Sequence, residues 1–207
     1  MLVIPLSTFT PILYEKAYYM STPMTKTKPN PIDDVSRLIA NVRQDPLAFA
    51  RLYDLYSTSI YRYLYSRVGN QADAEDLTGQ TFLTALEKIN RYRERGRFKA
   101  WLFTIARNKA LDHFRKKRAE VVLDVAEIHT GQNDMLANLI QSEQIQELSA
   151  LIRSLTQKER ELLRLRYVAD LSYAEIATVL GKRKDAVKKS LYRLQARLQN
   201  QLEVKNV

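Results

Sequence analysis

Eleven cations crowd into residues 91–118: Arg91, Arg93, Arg95, Arg97, Lys99, Arg107, Lys109, Arg115, Lys116, Lys117 and Arg118. Phe98, Trp101, Phe103, His113 and Phe114 are interleaved with them. Cations at this density neutralise phosphates and release their counterions. Aromatic rings beside them offer flat faces on which unpaired bases can stack. A second basic group, Arg183, Lys184, Lys188, Lys189 and Arg193, lies near the C-terminus. Between the two, residues 119–147 hold six acids and no Lys or Arg. This segregation points to two separate contacts with a nucleic acid. Upstream of the first block, Asp73, Asp76, Gln80, Thr84 and Glu87 recur at helical spacing and form a polar, largely acidic stripe. Carboxylates repel a nucleic acid, so this stripe suits a protein partner.

The inventory speaks against catalysis. The histidines are His113 and His129, there is no cysteine, and neither a phosphate-cradling glycine loop nor a metal-type carboxylate cluster occurs. Without cysteine there is no disulfide and no thiolate metal site. The expectation is therefore no enzyme, no catalytic residue, no metal, no cofactor and no small-molecule substrate. The net charge of +10 over 207 residues favours a polyanionic partner. No run of apolar residues is long enough to cross a membrane as a helix, and a cytoplasmic location is expected.

The elements that must position these residues read as helices throughout. After Pro46 the chain contains no further proline, the strongest helix breaker. Val35, Leu38, Ile39 and Val42 mark a first helix. Asp45-Pro46 ends it and starts a second, with Asp as N-cap and Pro at the first helical position. The second helix carries Leu52, Ile60, Tyr63, Leu64 and Val68 and stops at Gly69. Its tyrosines read as core and rim packing rather than a stacking platform. A third helix spans 71–89, with Ala74, Thr78, Phe82, Ala85, Leu86 and Ile89 opposite the acidic stripe. Gly96 divides the basic block into a loop and a largely buried helix beginning near Phe98.

Two capping boxes, Thr156–Glu159 and Ser172–Glu175, open helices farther on. The first carries Leu162, Leu163, Leu165 and Val168. The second is short, carries Ala174, Ile176, Ala177, Val179 and Leu180, and ends at Gly181. A last helix turns Ala186, Val187, Ser190, Leu191 and Leu194 inward and its lysines outward. A short helix, a tight turn and a basic second helix make a helix-turn-helix, whose second helix enters the major groove. The organisation expected is all-α. A tail over 1–32 is disordered or precedes the true start, with translation beginning at Met20 or Met24. A helical domain spans 33–118, an acidic linker 119–147 and the helix-turn-helix domain 148–204.

These residues carry a family resemblance. Residues 46–118 resemble region 2 of the sigma-70 family of bacterial RNA polymerase sigma factors, closest to its small extracytoplasmic-function (ECF, group 4) members. The matching strings are Ala72-Asp-Ala-Glu-Asp-Leu77, Gln80-Thr81-Phe82, and the run from Phe98 through Trp101 and Asn108 to Asp112. Residues 153–198 resemble region 4 through Leu155-Thr156, Glu159-Arg160, Leu165-Arg166, Leu171-Ser-Tyr-Ala-Glu-Ile-Ala177, Leu180-Gly181, Val187-Lys188 and Leu191-Tyr-Arg193.

The resemblance implies a subunit that binds core polymerase, directs it to promoters and opens the −10 element. It implies that Asp73, Asp76 and Gln80 dock on the clamp of the β′ subunit, with a further contact at the β flap. Asn108 matches a position beside the flipped non-template base, with Arg97, Trp101, Arg107, Lys109 and Arg115 as neighbours. Trapping an unpaired base offsets unstacking and needs no ATP. Arg183, Lys184, Lys188, Lys189 and Arg193 would face the −35 element. The lysine-free linker resembles the family's connector, its acids mimicking RNA charge, and an anti-sigma factor is a further implied partner. Arg183 at the cap position, Asp185-Ala186 in place of Gly-Thr, and Ser190 in place of Arg depart from the family pattern, so base preference does not carry over. A helix-turn-helix regulator acting alone would account for the second basic block but not for the first.

Overall fold

The computed structural model describes residues 31–42, 44–93, 96–123, 152 and 154–205, all of whose regular structure is helical. Residues 1–30, with the candidate starts Met20 and Met24, lie outside the described residues, as does the acidic linker beyond Leu123, whereas Pro31 and Ile32, expected in the tail, already belong to a helix. Helix α1 spans Pro31–Asn41 and α2 spans Pro46–Val68. Asp45 caps α2 by accepting a hydrogen bond from the Leu47 amide at 2.9 Å. Gly69 ends it in the left-handed conformation, φ 77°, which a residue without Cβ adopts at little cost. Helix α3 spans Gln71–Lys88, followed by a 3-10 turn over Ile89–Arg91. Helix α4 spans Phe98–Leu123, running past the boundary expected at Arg118.

Helices α2, α3 and α4 pack into one bundle around fully buried Leu52, Ile60, Tyr63, Leu64, Leu102 and Phe103. Tyr63 and Phe103 meet edge to face, ring centroids 5.5 Å apart. In α3 the buried stripe is Ala74, Leu77, Thr78, Thr81, Phe82 and Ala85. Thr78 and Thr81 fit there because each hydroxyl donates to a carbonyl one turn back, Ala74 and Leu77 respectively. Leu86, expected inward, is instead 44% exposed, because it lies one step beyond the edge of that stripe.

The second bundle begins with α5, Gln157–Leu163, which continues into a π turn over Arg164–Val168. Helix α6 spans Tyr173–Leu180 and α7 spans Lys184–Lys205. Both expected capping boxes are formed, Thr156 with Glu159 and Ser172 with Glu175. Gly181 closes α6 at φ 62° and turns the chain into α7. Val187 and Leu191 join the apolar cluster of Ile176 and Leu171, and Leu194 is also buried, whereas Ala174, Ala186 and Ser190 are exposed. Ala186 and Ser190 each precede a buried residue, and the one-residue step carries them off the inner face.

The two bundles pack together, α4 against α6 and α2 against the π turn, and their apolar residues form one continuous cluster. Nothing in the periodicity of either block announces this junction.

Phe103→Ala should cost about 3–5 kcal/mol of stability, read from urea unfolding, because a fully buried ring leaves a cavity. Acid should act at the start of α5. The Thr156 backbone amide, aided by the Thr156 hydroxyl and Arg197, holds the Glu159 carboxyl below its ordinary 4.5. Its contribution is in place above pH 4.5 and is lost as pH falls through the lower folded value. Glu159→Gln should therefore flatten the fall of melting temperature across that acidic window.

Candidate nucleic-acid interface

The six residues expected at the −10 element, Arg97, Trp101, Arg107, Asn108, Lys109 and Arg115, sit on or beside α4, and helix geometry sorts them. Arg97, Trp101, Asn108 and Arg115 follow one another at steps of four, seven and seven residues, so they share one stripe. Arg97, Asn108 and Arg115 are exposed. Trp101 is half-buried in an aromatic cluster, its ring centroid 4.7 Å from that of Tyr92 and 5.4 Å from that of Phe98. One ring thus belongs both to the core and to the stripe. Arg115 pairs with Asp112 at 3.1 Å, an exposed contact of little energetic weight. Arg107 and Lys109 diverge to opposite flanks of the stripe, and both are half-buried. Arg107 turns toward Glu161 in α5, 3.6 Å from its carboxylate.

The acidic stripe also divides. Asp76 and Gln80 are exposed, and the Gln80 amide donates to Asp76 Oδ2 at 2.7 Å. Asp73 is tied into the fold. Its backbone amide donates to Asn70 Oδ1 at 2.8 Å, and its own Oδ2 accepts from Asn70 Nδ2 at 2.6 Å. His113 Nε2 of α4 lies 3.3 Å from the same oxygen. Asp73 therefore helps close the N-terminus of α3, where a negative charge is favoured by the helix dipole, and clips α3 to α4.

In the second bundle Arg183, Lys184, Lys188, Lys189 and Arg193 are all exposed. The inward anchors Val187, Leu191 and Leu194 fix the opposite face of α7 to solvent. Lys188 lies over the Tyr192 ring, 5.7 Å from its centroid, which keeps the cation close to the helix surface. Asp185, in the first turn, is the acid among these cations.

Residues 52–120 match the family model for sigma-70 region 2, and residues 145–198 match that for sigma-70 region 4. The ECF RNA polymerase sigma factor SigM of Bacillus subtilis is 32% identical over 148 residues, covering 71% of this chain and 90% of that protein. The chain belongs to the ECF sigma factors of the sigma-70 family. BldN of Streptomyces coelicolor, another ECF RNA polymerase sigma factor, is 42% identical over 153 residues, which is 70% of this chain but 57% of that relative. Among solved structures, the sigma factor RpoE in complex with the anti-sigma factor NepR, from Bartonella quintana, is 26% identical with a TM-score of 0.57. That likeness takes in 75% of this chain and 97% of the other.

The sequence reading of this sigma factor missed the group around Glu161. The Tyr63 hydroxyl donates to Glu161 Oε1 at 2.7 Å, and Arg67 donates to the same oxygen at 2.7 Å and to the Tyr63 hydroxyl at 3.0 Å. Burial pushes the Tyr63 phenol well above its ordinary value, and Glu161 adds to the push while Arg67 opposes it. Burial works against the Arg67 cation, but Tyr63 and Glu161 outweigh that and raise its pKa. A signal was present: Glu161 stands beside Leu162 and one turn before Leu165, on the apolar stripe of its helix. A charge on such a stripe is buried only when paired.

Asp73→Ala should lower stability by about 1 kcal/mol, as loss of a helix-end contact does, whereas Asp76→Ala should leave the melting temperature within error. Equal losses in thermal melts of the two variants would contradict the division of the stripe.

Proposed function

We propose that this sigma factor binds core RNA polymerase, directs it to specific promoters and opens the −10 element for transcription initiation. The observation that supports this most is the α4 stripe, in which exposed Arg97, Asn108 and Arg115 flank a tryptophan rooted in the core. Cations there take phosphates of the non-template strand, and Asn108 and Trp101 meet an extruded base. Arg107 and Lys109 serve as flanking phosphate contacts. Arg183, Lys184, Lys188, Lys189 and Arg193 meet the −35 element in the major groove, on a helix whose inner face anchors it.

Asp76 and Gln80 form the contact with the β′ clamp, and Asp73 supports them by holding the start of α3. The second bundle meets the β flap. The chain acts in the cytoplasm, where the polymerase works. No described helix is long and apolar enough to span a membrane. The solved relative RpoE is held by the anti-sigma factor NepR, and we extend a partner of that kind to this chain. Residues 33–118 are the polymerase and −10 domain, 148–204 the −35 domain and 119–147 their connector. The chain performs no catalysis of its own.

Run-off transcription with purified core polymerase over genomic fragments tests the assignment and delivers the promoter. Asp76→Lys should weaken capture by core polymerase while helicity is unchanged. Lys188→Ala should weaken promoter binding by about 1 kcal/mol or more if the side chain meets phosphate or base. Normal initiation by both variants would overturn the residue assignments.

A further inference from the structure

Glu161 is the one acidic side chain among the described residues that is buried, its side chain 9% exposed. Its partners are Tyr63, Arg67 and Arg107, and every one of them comes from the other bundle. The Arg67 side chain is more buried still, 5% exposed. Two further polar ties across the junction are also made by side chains. Arg164 Nε donates to the Ser66 carbonyl at 2.9 Å, and Lys99 Nζ donates to the Asp170 carbonyl at 2.6 Å. Among the described residues no backbone-to-backbone hydrogen bond joins the bundles. A junction held by side chains can separate without unravelling a helix.

The charge balance of the cluster is incomplete. One carboxylate faces two guanidinium groups. The distance from Arg107 Nε, 3.6 Å, suits an ion pair but is too long for a hydrogen bond, and this buried Nε–H has no hydrogen-bond partner in the structure. A phosphate group, with more acceptor oxygens, would satisfy these arginines better than one shared carboxylate oxygen.

We propose that Glu161 is an intramolecular latch: its carboxylate stands in for a DNA phosphate, holds the second bundle on the first, and keeps Arg67 and Arg107 from nucleic acid in the free chain. This rests on the reading of Arg107 as a −10 contact. Promoter DNA and the latch then compete for the same arginines, and the free chain binds DNA only through the fraction that is open.

The test exploits the absence of native cysteine. Thr58→Cys in α2 and Gln199→Cys in α7, both exposed positions, take a donor and an acceptor dye on the full chain. Inter-dye distance is compared for the parent, E161Q, which keeps the side-chain shape, and E161K, which repels both arginines. Circular dichroism identifies variants that stay folded. Binding of a labelled mixed-sequence single-stranded DNA, without polymerase, is measured by anisotropy. The latch predicts a longer inter-dye distance and about tenfold tighter DNA binding in the folded variants, as the open fraction rises. It also predicts loss of that gain in E161Q/R107A. An unchanged distance in folded variants, or separation with no gain in affinity, would overturn it. If instead R107A supports normal run-off transcription with core polymerase, the −10 role of Arg107 fails while the distance measurement still judges the closure.

Discussion

Helix α4 is the constraint around which the rest is arranged. Its residues Phe98, Ala100, Leu102, Phe103, Ile105, Ala106 and Ala110 are buried, so the helix has neighbours on most of its circumference. What remains free along this part of the helix is a stripe that presents Arg97 and Asn108, with Arg107 and Lys109 on its flanks. Burial fixes the rotation of the helix, and rotation fixes which side chains face outward together. Trp101 shows how closely the two roles are joined, since the contacts that seat its ring against Tyr92 and Phe98 also hold it at the edge of that stripe. Loosening the aromatic cluster would disturb both the core and the presentation of Arg97 and Asn108.

The junction between bundles follows a different logic. Apolar packing of α4 against α6 involves no directional polar contact, whereas the Glu161 carboxylate demands Tyr63 and Arg67 at hydrogen-bond distance. Removing one partner from a buried ion pair costs about 3–5 kcal/mol, mainly because the other charge is left without compensation. The cluster therefore selects one arrangement of the bundles and, while intact, holds them in it. Asp170, in the left-handed conformation at φ 48°, presents its carbonyl to Lys99 at the same junction. Aspartate tolerates that conformation better than most side chains.

Much of the fold was legible in the sequence because each signal was local. Asp45-Pro46, Gly69, the two capping boxes and Gly181 mark helix ends by chemistry completed within a few residues. The basic helix of the second bundle was legible too, since Val187 and Leu191 set its inner face. The errors came from phase. Leu86, Ala186 and Ser190 each lie one residue from a buried position, and hydrophobicity or small size does not distinguish the edge of a stripe from its centre. Asp73 shares the periodicity of Asp76 and Gln80. Its engagement with Asn70 and His113 depends on where α4 passes, which no spacing within α3 encodes. The contacts of Glu161, separated from Tyr63 by 98 positions, are legible only after folding.

Charge makes the closed arrangement conditional. The basic helix of the first bundle and the helix-turn-helix carry the same sign, and bringing them together raises their mutual repulsion. Glu161 offsets part of this locally, where low exposure keeps water and salt from screening its attraction for Arg67. Besides Glu161, the acids of the second bundle whose side chains are described are Glu159, Asp170, Glu175 and Asp185. Glu175 and Glu159 are already engaged in their capping boxes. A polyanion removes the repulsion on both bundles, while the latch answers it at one point. The same positive charge that fits the chain for DNA thus limits how firmly its two bundles hold each other without DNA.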